Sequence, residues 1–196
     1  MLDIKIVNGT IIDVENKRAR EGDLGIKDGI ISDIGSVPAE AKVVIDAEGK
    51  YVSPGFIDIH MHEEDFSLTK KQEYDISDTM LNMGVTTCVA GNCGNNRQSI
   101  LELYNFVNEK GNPVNYLTYI GHNFLRVQAG NTDIYKRSSK EQIEKMQKWV
   151  KEAVDFGAIG VSYGLEYCPG IDTEEALAIT KEIQGRDDLL LAAHYR

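Results

Sequence analysis

The stretch Ser53-Pro54-Gly55-Phe56-Ile57-Asp58-Ile59-His60-Met61-His62 constrains this chain more than any other, because it runs an apolar strand into two histidines one residue apart. Strand side chains alternate with period two, so His60 and His62 share a face with Phe56 and Asp58. Ile57, Ile59 and Met61 fall on the opposite face, where a covering helix could bury them. Two imidazoles side by side at a strand end can share a metal ion. The bland alternative is a strand that ends in two solvated histidines.

Charge and composition narrow the classes. With 31 acidic against 21 basic residues the net charge is −10, which argues against nucleic acid as a main partner, since phosphate binding needs a basic surface. No apolar run approaches the roughly 20 residues of a membrane helix. Met1-Leu2-Asp3-Ile4-Lys5 also lacks the basic-then-apolar order of a secretory signal, so the cytoplasm is the expected location. Three scattered cysteines make no disulfide framework and read as reduced thiols with one possible ligand among them. A chain of 196 residues, 42% hydrophobic, can bury a real core.

Residues 1–52 read as a small all-β lobe. Ile4–Val7 and Thr10–Val14 are expected to flank a hairpin turn at Asn8-Gly9, with further strands over 22–27, 30–35 and 43–46 and a turn at Asp28-Gly29. The lobe gathers no chemical groups and reads as a lid or an oligomer surface. Over 53–196 strands alternate with helical stretches, the mark of a parallel sheet with crossover helices. Helices are expected within Glu73–Met83, over Ser99–Glu109, from a Ser138/Glu141 capping box to Gly157, and from near Asp172 to about Gln184. Strands are expected at 85–90, 114–120, 158–163 and 189–193. The fold class is therefore α/β, the N-terminal part of a (β/α)8 TIM-like barrel preceded by a small β lobe. Five barrel strands imply a longer enzyme whose other half is supplied by further polypeptide or a second chain; a half-barrel that pairs with its own copy is the alternative.

His60, His62, Cys93 and His194 all arrive at the carboxyl ends of expected strands, the face on which barrel active sites are built. Nitrogen and thiolate donors together favour zinc. Cys93 also fits a small buried residue in a Gly-rich turn. Cys88 faces the helices as core filler, and Cys168 sits in a loop where exposure near the site is possible.

Pro-Gly-Phe-Ile-Asp-Ile-His-x-His at residues 54–62 resembles the first-strand signature of the amidohydrolase superfamily. Gly91-Asn92-Cys93-Gly94, Gly121-His122-Asn123-Phe124-Leu125-Arg126, the stretch from Gly157 to Tyr167, and His194-Tyr195-Arg196 follow in an order that resembles its D-aminoacylase (N-acyl-D-amino-acid deacylase) branch. The resemblance implies metal ligands at His60, His62, Cys93 and His194, with one or two zinc ions. It implies a general acid or base aspartate, and a further histidine ligand, in the part of the enzyme beyond strand five. Tyr167, Arg126, His122 and Arg196 stand in family-like motifs and could hold a substrate carboxylate. For the two arginines a structural ion pair is an equal reading, and for His122 a bond to a loop carbonyl. Asp58 is expected to orient a ligand histidine. Glu63, Glu64 and Asp65 read as a mostly solvated charge run, with Asp65 able to reach the site. Met61, Asn123 and Tyr163 depart from the usual residues near the pocket and leave the substrate open. The function implied is zinc-dependent hydrolysis of the amide bond of N-acyl-D-amino acids, active only with the remaining half. The alternatives are a cyclic amide hydrolase, and a non-catalytic assembly module that forms a homo-oligomer through its β lobe.

Overall fold

The computed structural model describes residues 1–63 and 75–195. The chain forms two compact units, Met1–Gly55 and Phe56–Arg196. In the first, β1 (Leu2–Asp13), β2 (Arg18–Lys27), β3 (Ile30–Gly35), β4 (Ala41–Asp46) and the short β5 (Tyr51–Val52) form one sheet of order β3-β2-β1-β4, with β5 also on β1. The β1–β2–β3 pairs are antiparallel, whereas β4 and β5 run parallel to β1. Leu2, Ile11, Leu24, Val37 and Ala47 are its buried apolar residues.

The hairpin expected at Asn8-Gly9 does not form. β1 continues through it, and the register against β2 shifts between Ile6 and Gly9. β2 is long enough to pair with both halves of β1, so the Asn-Gly step becomes a kink in one strand. Asn8 takes a left-handed φ of 59°, which asparagine tolerates better than most residues. Its backbone N–H donates to Asp23 Oδ1 at 3.3 Å and its side-chain amide to Asp46 Oδ1 at 3.1 Å, which replaces the interrupted ladder. The chain reverses instead after Asp13, whose carboxylate accepts from the Asn16 N–H at 3.0 Å. The turn at Asp28-Gly29 forms as expected, with φ of 51° and 76°, the twist that suits a tight hairpin.

In the second unit β6 (Phe56–Asp58), β7 (Val85–Ala90) and β8 (Asn115–Thr118) form one parallel sheet, and β9 (Ile120–Gly121), β10 (Gly160–Gly164) and β11 (Leu190–His194) a second. Tyr119 alone separates β8 from β9, and the expected single strand over 114–120 breaks there. Backbone bonds continue across the break, since Tyr119 N–H donates to Ala90 O at 3.1 Å and Ile159 N–H to Thr118 O at 2.9 Å. The spatial order of the strands follows chain order, as short crossover connections favour.

The helices are α1 (Asp75–Asn82), α2 (Ile100–Lys110), α3 (His122–Gln128), α4 (Lys140–Asp155) and α5 (Thr173–Thr180). α3 occupies a segment that sequence reasoning left without a helix. The capping box of α4 lies one residue beyond the expected one: Ser139 accepts from Gln142 N–H, and Gln142 reaches back to Ser139 N–H. Ser138 instead accepts from the Asn131 amide at 3.1 Å. Two apolar clusters bury the helix-facing sides, one around Met61, Cys88, Ala90, Leu103, Val114 and Tyr116, the other around Ile120, Met146, Val150, Val161, Tyr163 and Ile179. Met61 is buried as its strand parity requires, but Ile57 and Ile59 are exposed. β6 is the outer strand of its sheet and α1 packs against β7, so among the described residues no helix covers them. No described helix is long and apolar enough to cross a membrane.

Candidate metal centre

β6 ends at Asp58, and the segment after it stays extended because Met61 N–H still donates to Val89 O at 3.0 Å. That bond keeps the alternation running past the strand, so Met61 turns into the core while His60 and His62 turn away from it. Their ring centroids lie 5.9 Å apart, edge to face. Asp58 accepts from the His60 backbone N–H at 2.9 Å, so it holds the main chain of the first histidine.

Cys93 reaches the histidines through an unusual turn. Gly91, Cys93 and Gly94 all have positive φ, at 70°, 57° and 76°, and left-handed backbone is strained for a cysteine. Side chains from neighbouring strands hold it. The Asn92 amide donates to Val89 O at 2.9 Å and lies 3.4 Å from both Ile59 O and Met61 O. Ser162 on β10 accepts from Gly94 N–H at 3.0 Å and donates to Gly91 O. Backbone also meets backbone around the turn. A Cβ on Gly121 would lie 2.5 Å from the carbonyl carbon and oxygen of Gly94, and one on Gly164 would collide with Cys93 O. Neither Asn92 nor Ser162 was singled out from sequence, although a lone buried hydroxyl in the apolar strand at 158–163 was the available signal.

The result is a compact donor set. Ligand atoms of His60, His62 and Cys93 all lie within 4.8 Å of one another. Cys93 Sγ is 3.5 Å from His60 Nε2 and 3.5 Å from His194 Nδ1, the latter carried in by β11. Zinc–sulfur bonds near 2.3 Å and zinc–nitrogen bonds near 2.0–2.1 Å at a tetrahedral angle put S and N about 3.5 Å apart. The separations therefore fit a zinc-sized ion. The thiol itself is pushed up in pKa by burial. Tyr167 stands at the same place, its hydroxyl 2.9 Å from His194 Nδ1.

Other expected site residues are placed elsewhere. Arg126 is buried on α3 and donates from one guanidinium nitrogen to both oxygens of Glu175, at 2.6 and 2.7 Å, and from another to Lys136 O at 2.5 Å. Its fork is thus bound to a protein carboxylate instead of a substrate's. His122 is fully buried with Nε2 3.0 Å from Glu175 Oε1, its ring tilted against Tyr163 at 4.9 Å. It contacts a carboxylate in place of the loop carbonyl. Arg126 thus makes the structural ion pair that is the equal reading for it, because α3 starts at His122 and turns both side chains into the layer between helices and sheet. Tyr163 belongs there too, with its hydroxyl on Ala176 O and its pKa pushed up to about 12, first by burial. Glu63 is not solvated: its carboxylate accepts from the Asn96 amide at 2.6 Å, Thr118 Oγ1 at 2.9 Å and Arg97 N–H at 2.8 Å. Cys168 is buried against Ile134 O at 3.5 Å and not exposed. Arg196, Glu64 and Asp65 lie outside the described residues.

Known proteins resemble this chain along nearly its whole length. Residues 43–124 match the amidohydrolase family model. The chain is 30% identical to the D-aminoacylase of Alcaligenes xylosoxydans xylosoxydans over 220 aligned residues, covering 99% of this chain and 44% of that protein. Its fold superposes on a D-aminoacylase mutant in complex with CuCl2 at a TM-score of 0.87 and 27% identity, covering 99% of this chain and 45% of the other. An N-acyl-D-glutamate deacylase from Bordetella bronchiseptica, complexed with zinc and a phosphonate that mimics the tetrahedral intermediate, superposes at 0.86 with 29% identity, covering 98% and 45%. The chain is therefore similar to amidohydrolases. The relatives matched along most of its length are N-acyl-D-amino-acid deacylases, of whose length it spans somewhat under half.

Two outcomes are expected. Gly121→Ala and Gly164→Ala should each cost at least about 1–3 kcal/mol in denaturant unfolding, as overpacking against backbone does, and should displace Cys93. Wild-type stability with an unaltered donor cluster would contradict the account of the turn. Glu175→Ala should cost about 3–5 kcal/mol, because it strands a buried guanidinium. The same group of residues sets a pH dependence. Burial holds the His122 pKa below its ordinary 6.5, so the unfolded chain takes that proton first and stability falls as pH drops below about 6.5. Burial pushes Glu175 up, but contacts with His122 and Arg126 outweigh it and hold the pKa below 4.5, so its contribution is lost only at still lower pH. Unfolding free energies that rise on acidification from about pH 7 to 5 would contradict this sign.

Proposed function

We propose that this chain is the N-terminal part of a zinc-dependent hydrolase that cleaves the amide bond of N-acyl-D-amino acids. The observation that carries the reading is the pair of 3.5 Å separations from Cys93 Sγ to His60 Nε2 and His194 Nδ1, set beside relatives that are deacylases. His60, His62, Cys93 and His194 would hold the metal. A bound zinc ion supplies Lewis acidity toward the amide carbonyl and makes water a nucleophile at neutral pH. The chain's own residues do the rest of the positioning. Asn92 and Ser162 hold the Cys93 turn, and Asp58 holds the His60 backbone. Tyr167 presents its hydroxyl at the donor set, where it can donate to a substrate oxygen, and Arg196 remains a partner for the substrate carboxylate by its motif.

The parallel strands β6 to β11, in chain order with intervening helices, support a (β/α)8 barrel whose closure needs further strands. The protonating aspartate and a further histidine ligand would come with those strands, so turnover is assigned to the complete enzyme. The solved relatives in complex with copper or zinc support a metal-dependent reading.

Metal analysis of the purified protein should find stoichiometric zinc, and Cys93→Ser should weaken zinc by more than the 10–100-fold typical of losing an outer partner. In the complete enzyme the same change should abolish release of D-amino acids from their N-acetyl derivatives, with N-acetyl-L-amino acids as the comparison. Full activity in Cys93→Ser would sink the proposal and favour a hydrolase that does not use this thiolate.

A further inference from the structure

The turn after β10 frames the His194 ring from two sides. Gly164 pairs with His194 across β10 and β11, and Leu165 N–H donates to His194 O at 2.9 Å. Tyr167 N–H then closes the turn on Gly164 O at 3.1 Å. This geometry puts the Tyr167 hydroxyl 2.9 Å from Nδ1 of the ring and Glu166 Oε2 2.8 Å from Nε2. Cys93 Sγ lies on the Nδ1 side, at 3.5 Å.

An ionised carboxylate only accepts hydrogen bonds, so the ring nitrogen beside Glu166 is the one that carries the proton. A phenol donates readily to the other, unprotonated nitrogen. The two contacts thus select the same tautomer, protonated at Nε2, with an Nδ1 lone pair that accepts from Tyr167 and is open to an ion that displaces this hydroxyl. Glu166 is otherwise unexplained: its side chain is 58% exposed, and it belongs to neither apolar cluster.

We infer that Glu166 is a positioning residue for His194, fixing the tautomer and orientation in which Nδ1 is the nitrogen offered to the ion. The inference rests on the reading of His194 as a metal donor. Without Glu166 the ring can carry its proton on either nitrogen, and an Nδ1–H tautomer presents no lone pair toward Cys93. Loss of such carboxylate partners of ligand histidines typically costs about 10–100-fold in metal affinity.

The test compares wild type, Glu166→Ala and Glu166→Gln by two readouts: long-range proton–nitrogen NMR of the histidine rings in metal-free protein, and zinc affinity by competition with a chelator. In metal-free wild type His194 should be protonated at Nε2. Glu166→Ala should mix the tautomers and lose about 10–100-fold in zinc affinity. Glu166→Gln keeps an oxygen that accepts from Nε2–H, so it should keep the tautomer and lose less. Metal-free melting temperature should be unchanged in both, because the side chain is exposed. A wild-type ring protonated at Nδ1 overturns the inference, as does a Glu166→Ala protein with wild-type tautomer and zinc affinity. The tautomer is read without metal, so a protein that took up no zinc would defeat the hydrolase proposal while the ring spectrum still decided the role of Glu166.

Discussion

The close approach of three backbones around Cys93 is the constraint on which the centre depends. Gly94, Gly121 and Gly164 come from the ends of three different strands, and any side chain at the latter two would push the turn out of place. A cysteine with a φ of 57° is not held by its own preferences. It is held because Ser162 bonds both ends of the turn and Asn92 ties it to Val89 O and, at 3.4 Å, to the carbonyls of Ile59 and Met61 beside the histidines. Sulfur position is thereby decided by main-chain packing, which side-chain rotamers cannot relax.

Two further polar clusters have separate tasks. Glu63, Asn96 and Thr118 join the segment after His62 to the loop after Cys93 and to β8, with Asn96 Oδ1 also accepting from Gly121 N–H at 2.6 Å. Arg126, His122 and Glu175 join α3 to α5 on the helix side of the sheet. A buried ion pair of this kind adds little net stability over an apolar replacement, but removing one member is expensive. Its contribution is therefore to fix which helix face meets the sheet. Loss of the pair damages the scaffold, whereas loss of a donor damages the centre alone.

The sequence made the strand ends legible because each donor follows a short apolar run, and period-two alternation survives even where the regular strand stops, as at His60 and His62. Helix boundaries set by a local signal, such as Gly84, Ser99 or Asp172, were also readable. What escaped was decided by partners distant in sequence. Asn8-Gly9 has hairpin chemistry, but β2 outcompetes the local turn by pairing along the whole of β1. His122 and Arg126 look like site residues at a strand end, yet Glu175, about fifty positions later, draws them into the core. Glu63 sits in what reads as a charge run, and hydrogen bonds from Asn96, Arg97 and Thr118, among others, make its burial affordable. Local periodicity contains none of these pairings.

The donor separations carry a further consequence. Sγ already stands from each imidazole at the distance that a tetrahedral zinc site requires, although the thiol and the two rings come from separate strand ends. An ion placed between these donors would have to displace the Tyr167 hydroxyl from His194 Nδ1, but the strands themselves already hold the donor atoms close, which limits the ordering left to do on binding. The ordering was done when the apolar clusters formed and the glycine backbones came together. Folding and ligand geometry are in this sense one event, and the tolerance of the centre to change is set by how closely Gly121 and Gly164 let the strands approach.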